Sequence, residues 1–415
     1  ISVNGGSHYK PAFLFASSIH GDELTGYVLM LRLIDFLLAN YNNNDNVTSI
    51  LDKLEVWVLP LANPDGTYFG GNSTVAEATR SNGNSIDINR NFPDPAGGQH
   101  PDGEQWQPET KAYMTFFKEH HPALSAMFHG GSEVVNYPWD IWVRLHPDDN
   151  WYQYISRQYA DTVQKYGPAG YFTSSEFNKG ITNGYQWYSI AGGMQDYVNY
   201  FAHERQVTIE ISNTKTPDPA NLPNYWNYNF RSFLDYMKQN LQGVQGVVLD
   251  SLTLKPLVAE IQIPGHDKDS SEVYSDNLNG SFVRLLLPGT YTFNISAKGY
   301  LSKTVSVATD AGKLNILPEI LLVPDSLARL GLTLKCYPNP FITSATIEFN
   351  LPEKGSASFI LYDLTGRKIR ETESEFNEGT NQIYLNNLEY LKAGVYLGSL
   401  KYMRGEKRIK LIKLK

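Results

Sequence analysis

Two short polar segments, each following an apolar stretch, carry the residues of this sequence that are best suited to metal chemistry. His20 and Glu23 come shortly after the apolar residues 13–15, and His129 directly follows the mostly apolar residues 124–128. We therefore expect both segments at strand ends, where α/β sheets build their sites. Two histidines and one carboxylate are the ligand set of a catalytic zinc ion that keeps one position open for water. The sequence predicts one Zn²⁺ held by His20, Glu23 and His129, with hydrolysis as the chemistry.

Spacing alone leaves this prediction open, because a surface histidine near a solvated acid has the same pattern. Other motifs favour the zinc site: HGDE at 20–23, NPDG at 63–66, the stretch 80–94 ending in DINRNFPD, FHGGSEVVNYPWD at 128–140, GITNGYQWY at 180–188, GGMQDY at 192–197 and TIEIS at 208–212. In this order and number, the motifs resemble those of the zinc carboxypeptidase family, in particular its branch of carboxypeptidases N, E, M and D. The resemblance covers about 190 residues, from the first histidine to the TIEIS segment.

The resemblance implies catalytic and substrate-binding roles for further residues. Glu210 would be the general base, which takes a proton from the attacking water and passes it to the leaving amine. Arg80 would stabilise the oxyanion that forms at the attacked carbonyl. Asn89 and Arg90 would hold the terminal carboxylate of the substrate, since a guanidinium pairs with a carboxylate in a planar fork. Tyr188 would close over that carboxylate.

The resemblance also implies which terminal side chain is accepted. In basic-specific relatives an acid in the NYPxD segment lies in the pocket for the last residue, and here that position is Asp140. Gln195 matches a second pocket residue, whereas we interpret the adjacent Asp196 as structural. A buried acid requires a cation to compensate it. The expected reaction is therefore release of Lys or Arg from the C-terminus of peptides or proteins.

Two other functions remain open from the sequence. A zinc-dependent deacylase or amidase on a related scaffold would share the His-x-x-Glu and distant His set, but it would not need Asn89, Arg90, Tyr188 and Asp140 together. A catalytically inactive, peptide-binding member of the branch would be marked by loss of a ligand or of the base. The three ligands, the base and the carboxylate-binding residues are all present, which favours an active carboxypeptidase over both alternatives.

The residue pattern predicts three domains. In residues 1–240 apolar strands alternate with helices expected at 25–39, 108–120 and 151–166, which is typical of an α/β catalytic domain with a mixed central sheet and helices on both faces. Residues 241–324 show short alternating strands and resemble the transthyretin-like β-sandwich of the same branch. We interpret their turn around His266 and Asp267 as a solvated loop.

Residues 325–415 resemble the all-β C-terminal sorting domain of the type IX secretion system of Bacteroidetes. The alternative is another immunoglobulin-like accessory sandwich. The sorting domain would make the type IX machinery a partner and the chain an exported Gram-negative protein, either secreted or attached to the outer-membrane surface. The chain opens without the early strand of its relatives, so we expect an N-terminal segment to be missing.

Composition narrows the classes of partner. The 415 residues carry a net charge of −8 and one cysteine, so no intrachain disulfide can form. Residues 331–415 have 13 basic and 9 acidic side chains, which leaves a net charge of −12 on residues 1–330. An acidic region attracts cationic substrates, although it also serves solubility. No basic patch indicates nucleic-acid binding, and no apolar run approaches the roughly 20 residues that span a bilayer.

Overall fold

Six of the apolar segments form a central mixed sheet. The computed structural model describes residues 1–2, 10–325, 333–402 and 405–415. The strands are β1 (Ala12–Ser17), β2 (Glu55–Leu59), β3 (Leu124–His129), β4 (Ser132–Tyr137), β5 (Ile181–Asn183) and β6 (Arg205–Ser212). Their order in the sheet is β2-β1-β3-β6-β4-β5. Strands β1, β2, β3 and β6 run parallel, whereas β4 runs antiparallel to β6. The carboxyl ends of β1, β3 and β6 therefore meet at one edge.

Helices cover both faces of this sheet. They are α1 (Leu24–Asn40), α2 (Asp45–Lys53), α3 (Pro64–Thr67), α4 (Pro108–His120), α5 (Asp149–Tyr166), α6 (Gly184–Trp187), α7 (Met194–Tyr200) and α8 (Leu222–Gln239), with 3-10 turns at Ile88–Arg90 and Pro219–Asn221. Alternate residues of a strand point to opposite faces. Phe13 and Phe15 of β1 join a core with α1, α2, α5 and α8. Leu14 and Ala16 join a second core with α4 and α7.

The predicted fold class is confirmed in this region. The expected helices at 25–39, 108–120 and 151–166 correspond to α1, α4 and α5. Proline at the first position of α4 suits a helix start, and His121 ends that helix in the left-handed conformation. Within the described residues no single helix is long and apolar enough to cross a membrane, although α1 and α2 reach that length and composition when counted together across a bend of 99°.

The described residues from 243 to 324 are built from strands and turns. The strands are β7 (Gly243–Asp250), β8 (Glu260–Gln262), β9 (Val273–Tyr274), β10 (Ser281–Leu285), β11 (Gly289–Ser296), β12 (Lys303–Thr309), β13 (Leu314–Ile316) and β14 (Ile320–Leu322). One sheet has the order β10-β7-β13, with β14 also paired to β7, and another has the order β12-β11-β8-β9. Their small sheets fit the expected all-β character of this region.

The C-terminal strands form two antiparallel sheets. They are β15 (Leu334–Tyr337), β16 (Ala345–Leu351), β17 (Gly355–Asp363), β18 (Lys368–Phe376), β19 (Gly379–Leu385), β20 (Gly394–Tyr402) and β21 (Gly405–Lys413). The orders are β15-β16-β19 and β18-β17-β20-β21. Alternating residues of β16, such as Ile347 and Phe349, are buried in a core of their own with Phe359 of β17.

Two compact units are distinguished along the chain. The first comprises Ile1–Val247, Glu260–Asn294 and Thr304–Pro318, and the second comprises Val248–Ala259, Ile295–Lys303 and Glu319–Lys415. The three-domain division expected from the sequence stays a prediction. Its boundary after residue 324 adjoins residues 326–332, which lie outside the described part of the chain.

A buried ion cluster in the first unit corrects one expectation. Arg284 donates to both carboxylate oxygens of Asp148, at 2.6 and 3.0 Å, and to Asp267 at 2.7 Å. Arg205 donates from Nε to Asp148 at 2.9 Å. The prediction of a solvated loop is wrong for Asp267, whose side chain is fully buried against Arg284, and His266 lies only partly in solvent, 2.9 Å from Asp267. We call Asp148, Arg205, Asp267 and Arg284 the Arg284 cluster.

Candidate active site

The three predicted metal ligands meet at the carboxyl edge of the sheet. His20 Nδ1 lies 2.9 Å from Glu23 Oε1, and His129 Nδ1 lies 3.1 Å from His20 Nδ1 and 2.9 Å from Glu23 Oε2. All three side chains are buried. Zinc takes nitrogen and oxygen ligands at about 2.0–2.2 Å, so tetrahedral ligands stand roughly 3.3–3.6 Å apart. These residues, which we call the triad, are close to that spacing and have the right donor types for zinc.

Local backbone geometry presents the first two ligands of the triad. Glu23 is the N-cap residue of α1, yet its side chain makes no capping hydrogen bond, so the carboxylate is free to face the histidines. Gly21 lets the turn pass against another loop, because a Cβ there would stand 2.3 Å from the carbonyl carbon of Gly66. The NPDG motif thus supports the HGDE turn by close backbone packing.

Two residues that sequence reasoning left without a role stand behind the triad. Asp87 Oδ1 lies 3.2 Å from His20 Nε2, and a carboxylate at this nitrogen keeps the other ring nitrogen available to a metal. Lys215 Nζ lies 3.2 Å from Glu23 Oε1 and 3.1 Å from Asp22 Oδ2. Membership of the DINRNFPD motif could have pointed to Asp87 in the sequence, whereas Lys215 lies in no recognised motif.

The expected general base lies next to the triad. Glu210 on β6 is the register partner of His129 on β3, so both side chains point to the same face of the sheet. It is buried, and its Oε2 atom has no hydrogen-bond partner among the described residues. Burial, and then the charge of Glu23, raise the pKa of Glu210 well above its usual value. A carboxyl with a raised pKa is suited to exchange protons near neutral pH.

Arg80 is brought to the same place from a distant loop. Its Nη1 atom lies 3.1 Å from His20 Nδ1, and its Nε donates to Asp87 Oδ2 at 2.8 Å. Asp87 therefore holds the Arg80 guanidinium with its Oδ2 atom, while its Oδ1 atom faces His20. The side chain is 37% exposed, so one side of the guanidinium remains open to a substrate.

The three residues expected to hold a substrate carboxylate lie around this centre. Asn89 and Arg90 end the 3-10 turn that Asp87 caps. Asn89 Oδ1 accepts the backbone N–H of Met194 at 2.9 Å, which fixes the start of α7. Tyr188 is half exposed at the end of α6. Its pKa is raised by partial burial and then by the charge of Glu210, with Arg90 opposing this shift, so the phenol lies within electrostatic reach of both.

Asp140 is the centre of a separate set of buried polar side chains with Asn136 and Gln195, which we call the Asp140 pocket. Asn136 and Gln195 donate to its Oδ1 atom at 3.0 and 2.9 Å. Asp196 accepts the backbone N–H groups of Asp140 and Ile141, which is a positioning contact. Burial raises the pKa of Asp140 to about 6.

This pocket leaves two acceptors for a ligand. Among its described hydrogen bonds, Asp140 uses Oδ1 twice and Oδ2 not at all, and the buried Asn136 Oδ1 has no partner. Gly184 lets the Asp140 carboxylate pack against its backbone, since a Cβ there would stand 1.7 Å from Asp140 Oδ1. A cationic side chain would satisfy both oxygens.

The site therefore fits a class, that of hydrolases with a set of metal-ligating side chains at the carboxyl edge of an α/β sheet, and two arginines and a buried aspartate lie near these side chains. The family model for zinc carboxypeptidases matches residues 1–232, and the chain belongs to the zinc carboxypeptidase family. This family is one of zinc-dependent peptidases. A second model, for the secretion system C-terminal sorting domain, matches residues 335–414 and indicates export to the cell surface or beyond.

Individual relatives agree with the family. The chain is 36% identical to carboxypeptidase D of Mus musculus over 331 residues, which are 75% of this chain and 23% of that protein. It is 34% identical to carboxypeptidase M of Mus musculus over 316 residues, covering 71% of this chain and 68% of that protein. The solved carboxypeptidase A from Helicoverpa armigera is 21% identical, with a TM-score of 0.46 over 56% of this chain and 61% of that one. The chain thus spans about a quarter of the length of carboxypeptidase D.

Proposed function

We propose that this chain hydrolyses the C-terminal peptide bond of peptides or proteins that end in Lys or Arg, with one zinc ion held by the triad. The observation that carries the basic specificity is the pocket of Asp140. Its carboxylate is buried, hydrogen-bonded by two neutral amides, and left with one free oxygen beside the unpartnered Asn136 Oδ1. A buried carboxylate of this kind is best compensated by a cation that enters with the substrate.

Zinc in the triad would supply a Lewis acid and lower the pKa of a bound water. The chain's own residues would do the remaining work. Glu210 takes a proton from the attacking water and returns it to the leaving amine. Arg80, held by Asp87, stabilises the negative charge that develops on the attacked carbonyl oxygen.

Substrate orientation would come from the residues around the 3-10 turn. Arg90 and Asn89 bind the terminal carboxylate, and Tyr188 covers it from the end of α6. An enzyme that must bind a free carboxylate and a cationic side chain at the same time recognises only the C-terminal residue of its peptide substrate. This arrangement excludes cleavage within a polypeptide, because an internal peptide bond presents no carboxylate.

We also propose that the catalytic region spans residues 1–240, with accessory domains at 241–324 and 325–415. The match to a sorting domain supports export of this protein by a type IX secretion machinery. The exported protein would be either secreted or held at the outer-membrane surface.

Matched acyl dipeptides that end in Arg, Lys, Phe or Glu test the proposal. The full chain is assayed as purified, after chelation, and after zinc is restored. We expect release of Arg and Lys alone, lost with the chelator and recovered with zinc. Release of Phe in their place would contradict the assignment of Asp140. If zinc is bound and no dipeptide is cleaved, the peptidase proposal fails in favour of a deacylase or a peptide-binding protein.

A further inference from the structure

A second polar cluster lies at the other end of the central sheet, away from the triad. Glu204 directly precedes β6, His121 follows α4, and Asp276 follows β9. All three line a cavity of about 990 Å³, which also borders the starts of β1 and β3. These residues belong to the first unit. They take no part in the site described above, since the triad stands at the opposite, carboxyl edge.

Within the part of the chain that the structure describes, Glu204 has no donor for either carboxylate oxygen. The residue is only 6% exposed, and both Oε1 and Oε2 lack a hydrogen-bond partner. The ring of His121 approaches to 3.6 Å, which is too long for a hydrogen bond. Burial raises the pKa of Glu204 well above its usual value and lowers the pKa of His121. A buried carboxyl without a donor costs free energy, and a ligand that brings a donor would remove that cost.

The surroundings of Glu204 favour a cationic donor. Asp276 Oδ2 lies 3.8 Å from His121 Nε2, so carboxylates stand on both sides of the imidazole. Aromatic side chains, including Phe117 and Tyr274, line the same cavity, and ring faces attract ammonium and guanidinium groups. A single metal ion does not suit the cluster, because the two carboxylates approach different nitrogens of one ring.

The cavity also limits how much positive charge a ligand can carry. Lys111 and Lys118 of α4 are exposed side chains on its lining. They would repel a polycation, whereas they would tolerate a small ligand with one cationic end and would pair with a carboxylate elsewhere on it.

We propose that this cavity binds a small organic molecule that presents one ammonium or guanidinium group to Glu204 and Asp276. Free lysine or arginine has this chemistry. That these amino acids are also the reaction's products rests on the proposed function, whereas the binding site itself does not.

Calorimetric titration of the full chain with n-butylamine, n-butanol and L-arginine tests the site. We expect the amine and arginine to bind, and the uncharged alcohol of the same size not to bind. Glu204→Gln should weaken amine binding by about tenfold or more, because a charge-assisted contact is lost. Glu119→Gln changes the same charge at an exposed position on the cavity lining, so it should leave the affinity unchanged.

Asp140→Asn separates this site from the active site. Amine binding that survives Asp140→Asn and is lost in Glu204→Gln supports the second site. Binding that is lost in Asp140→Asn and kept in Glu204→Gln overturns it, and would instead support the specificity pocket. Should Glu204→Gln fail to fold by circular dichroism, Asp276→Asn takes its place with the same expected loss. No amine binding by the unaltered chain, or equal binding of the alcohol, also overturns the proposal.

Discussion

Two groups of charged side chains are buried in the first unit, and they differ in how completely their polar atoms are paired. In the Arg284 cluster, the oxygens of Asp148 accept hydrogen bonds from two guanidinium groups, and Arg284 also serves Asp267. Among the described residues, His129 Nε2 and Glu210 Oε2 at the triad and Asn136 Oδ1 in the Asp140 pocket have no partner. The side chains named in both groups are buried, so burial alone does not separate them.

The difference indicates what each group is for. A buried ion network whose charges are matched fixes one arrangement of the chain, and only Arg284 Nε lacks a partner in its guanidinium. Buried groups left without partners cost free energy unless something else completes them. The difference therefore separates a scaffold, whose buried charges are matched, from a site whose unpartnered groups a metal ion and a substrate would complete.

Removal of the expected base should have the largest effect on activity. Glu210→Gln keeps the shape of the side chain but removes proton transfer, so we expect kcat to fall by about 10²- to 10⁴-fold with zinc content unchanged. Glu378→Gln is the control, since it makes the same change at an exposed position far along the chain from the active-site residues. Steady-state kinetics on an acyl-Arg dipeptide would measure both. Equal losses in the two variants would contradict the role of Glu210.

Breaking the paired cluster should affect stability and not specificity. Arg284→Met leaves Asp148 and Asp267 without their shared guanidinium, and we expect the free energy of unfolding to drop by about 3–5 kcal/mol. Urea denaturation would measure this. Lys238→Met removes a partly exposed partner of Asp235 and should cost no more than about 1 kcal/mol. A loss of similar size in both variants would show that the Arg284 cluster stabilises the fold no more than a surface ion pair does.

Removal of the acid in the side pocket should change which substrates are accepted. Asp140→Asn should lower kcat/KM for substrates ending in Arg or Lys by about 10- to 100-fold, because a charge-assisted hydrogen bond is lost. Substrates ending in Phe serve as the control and should not lose rate. A uniform fall for all substrates would assign Asp140 to the scaffold instead.

The Asp140 pocket should also make kcat/KM for substrates that end in Arg modestly dependent on pH. The pKa of Asp140 is raised by burial to about 6, so the free carboxyl is neutral below that pH and ionised above it. Recognition of a cation requires the ionised form. The kcat/KM for an Arg substrate, divided by that of the Asp140→Asn variant, should therefore fall as pH drops through about 6, by at most about tenfold per pH unit. A ratio that is flat from pH 5 to 8 would contradict this.

The sequence could predict those parts of the site that lie within single motifs. His20, Glu23 and His129 follow apolar strands whose ends must meet in a parallel sheet, so both type and place were accessible. Asn136 could have been found, since it stands four residues before Asp140 in the same segment. Neither Asp87 behind His20 nor Lys215 beside Glu23 was assigned a role, because each contact depends on the path of a loop.

The remaining features could not be predicted, because they depend on contacts between segments that are distant in the sequence. Asp148 and Arg284 are separated by 136 positions, and no local pattern links them. The turn at His266 looked solvated for the same reason, since the partner that buries Asp267 is the strand β10. Segment types such as α1, α4 and α5 depend on local apolar spacing, and these were predicted closely.

Zinc analysis of the purified chain is the most direct test of the claim that the triad is a metal site. After dialysis against zinc and removal of free ion, elemental analysis should give one zinc per chain. His100→Gln, which alters an exposed histidine elsewhere, should also retain one zinc, and a folded His129→Gln variant should retain almost none. A chain that binds no zinc, or a His129→Gln variant that keeps a full equivalent, would contradict the account.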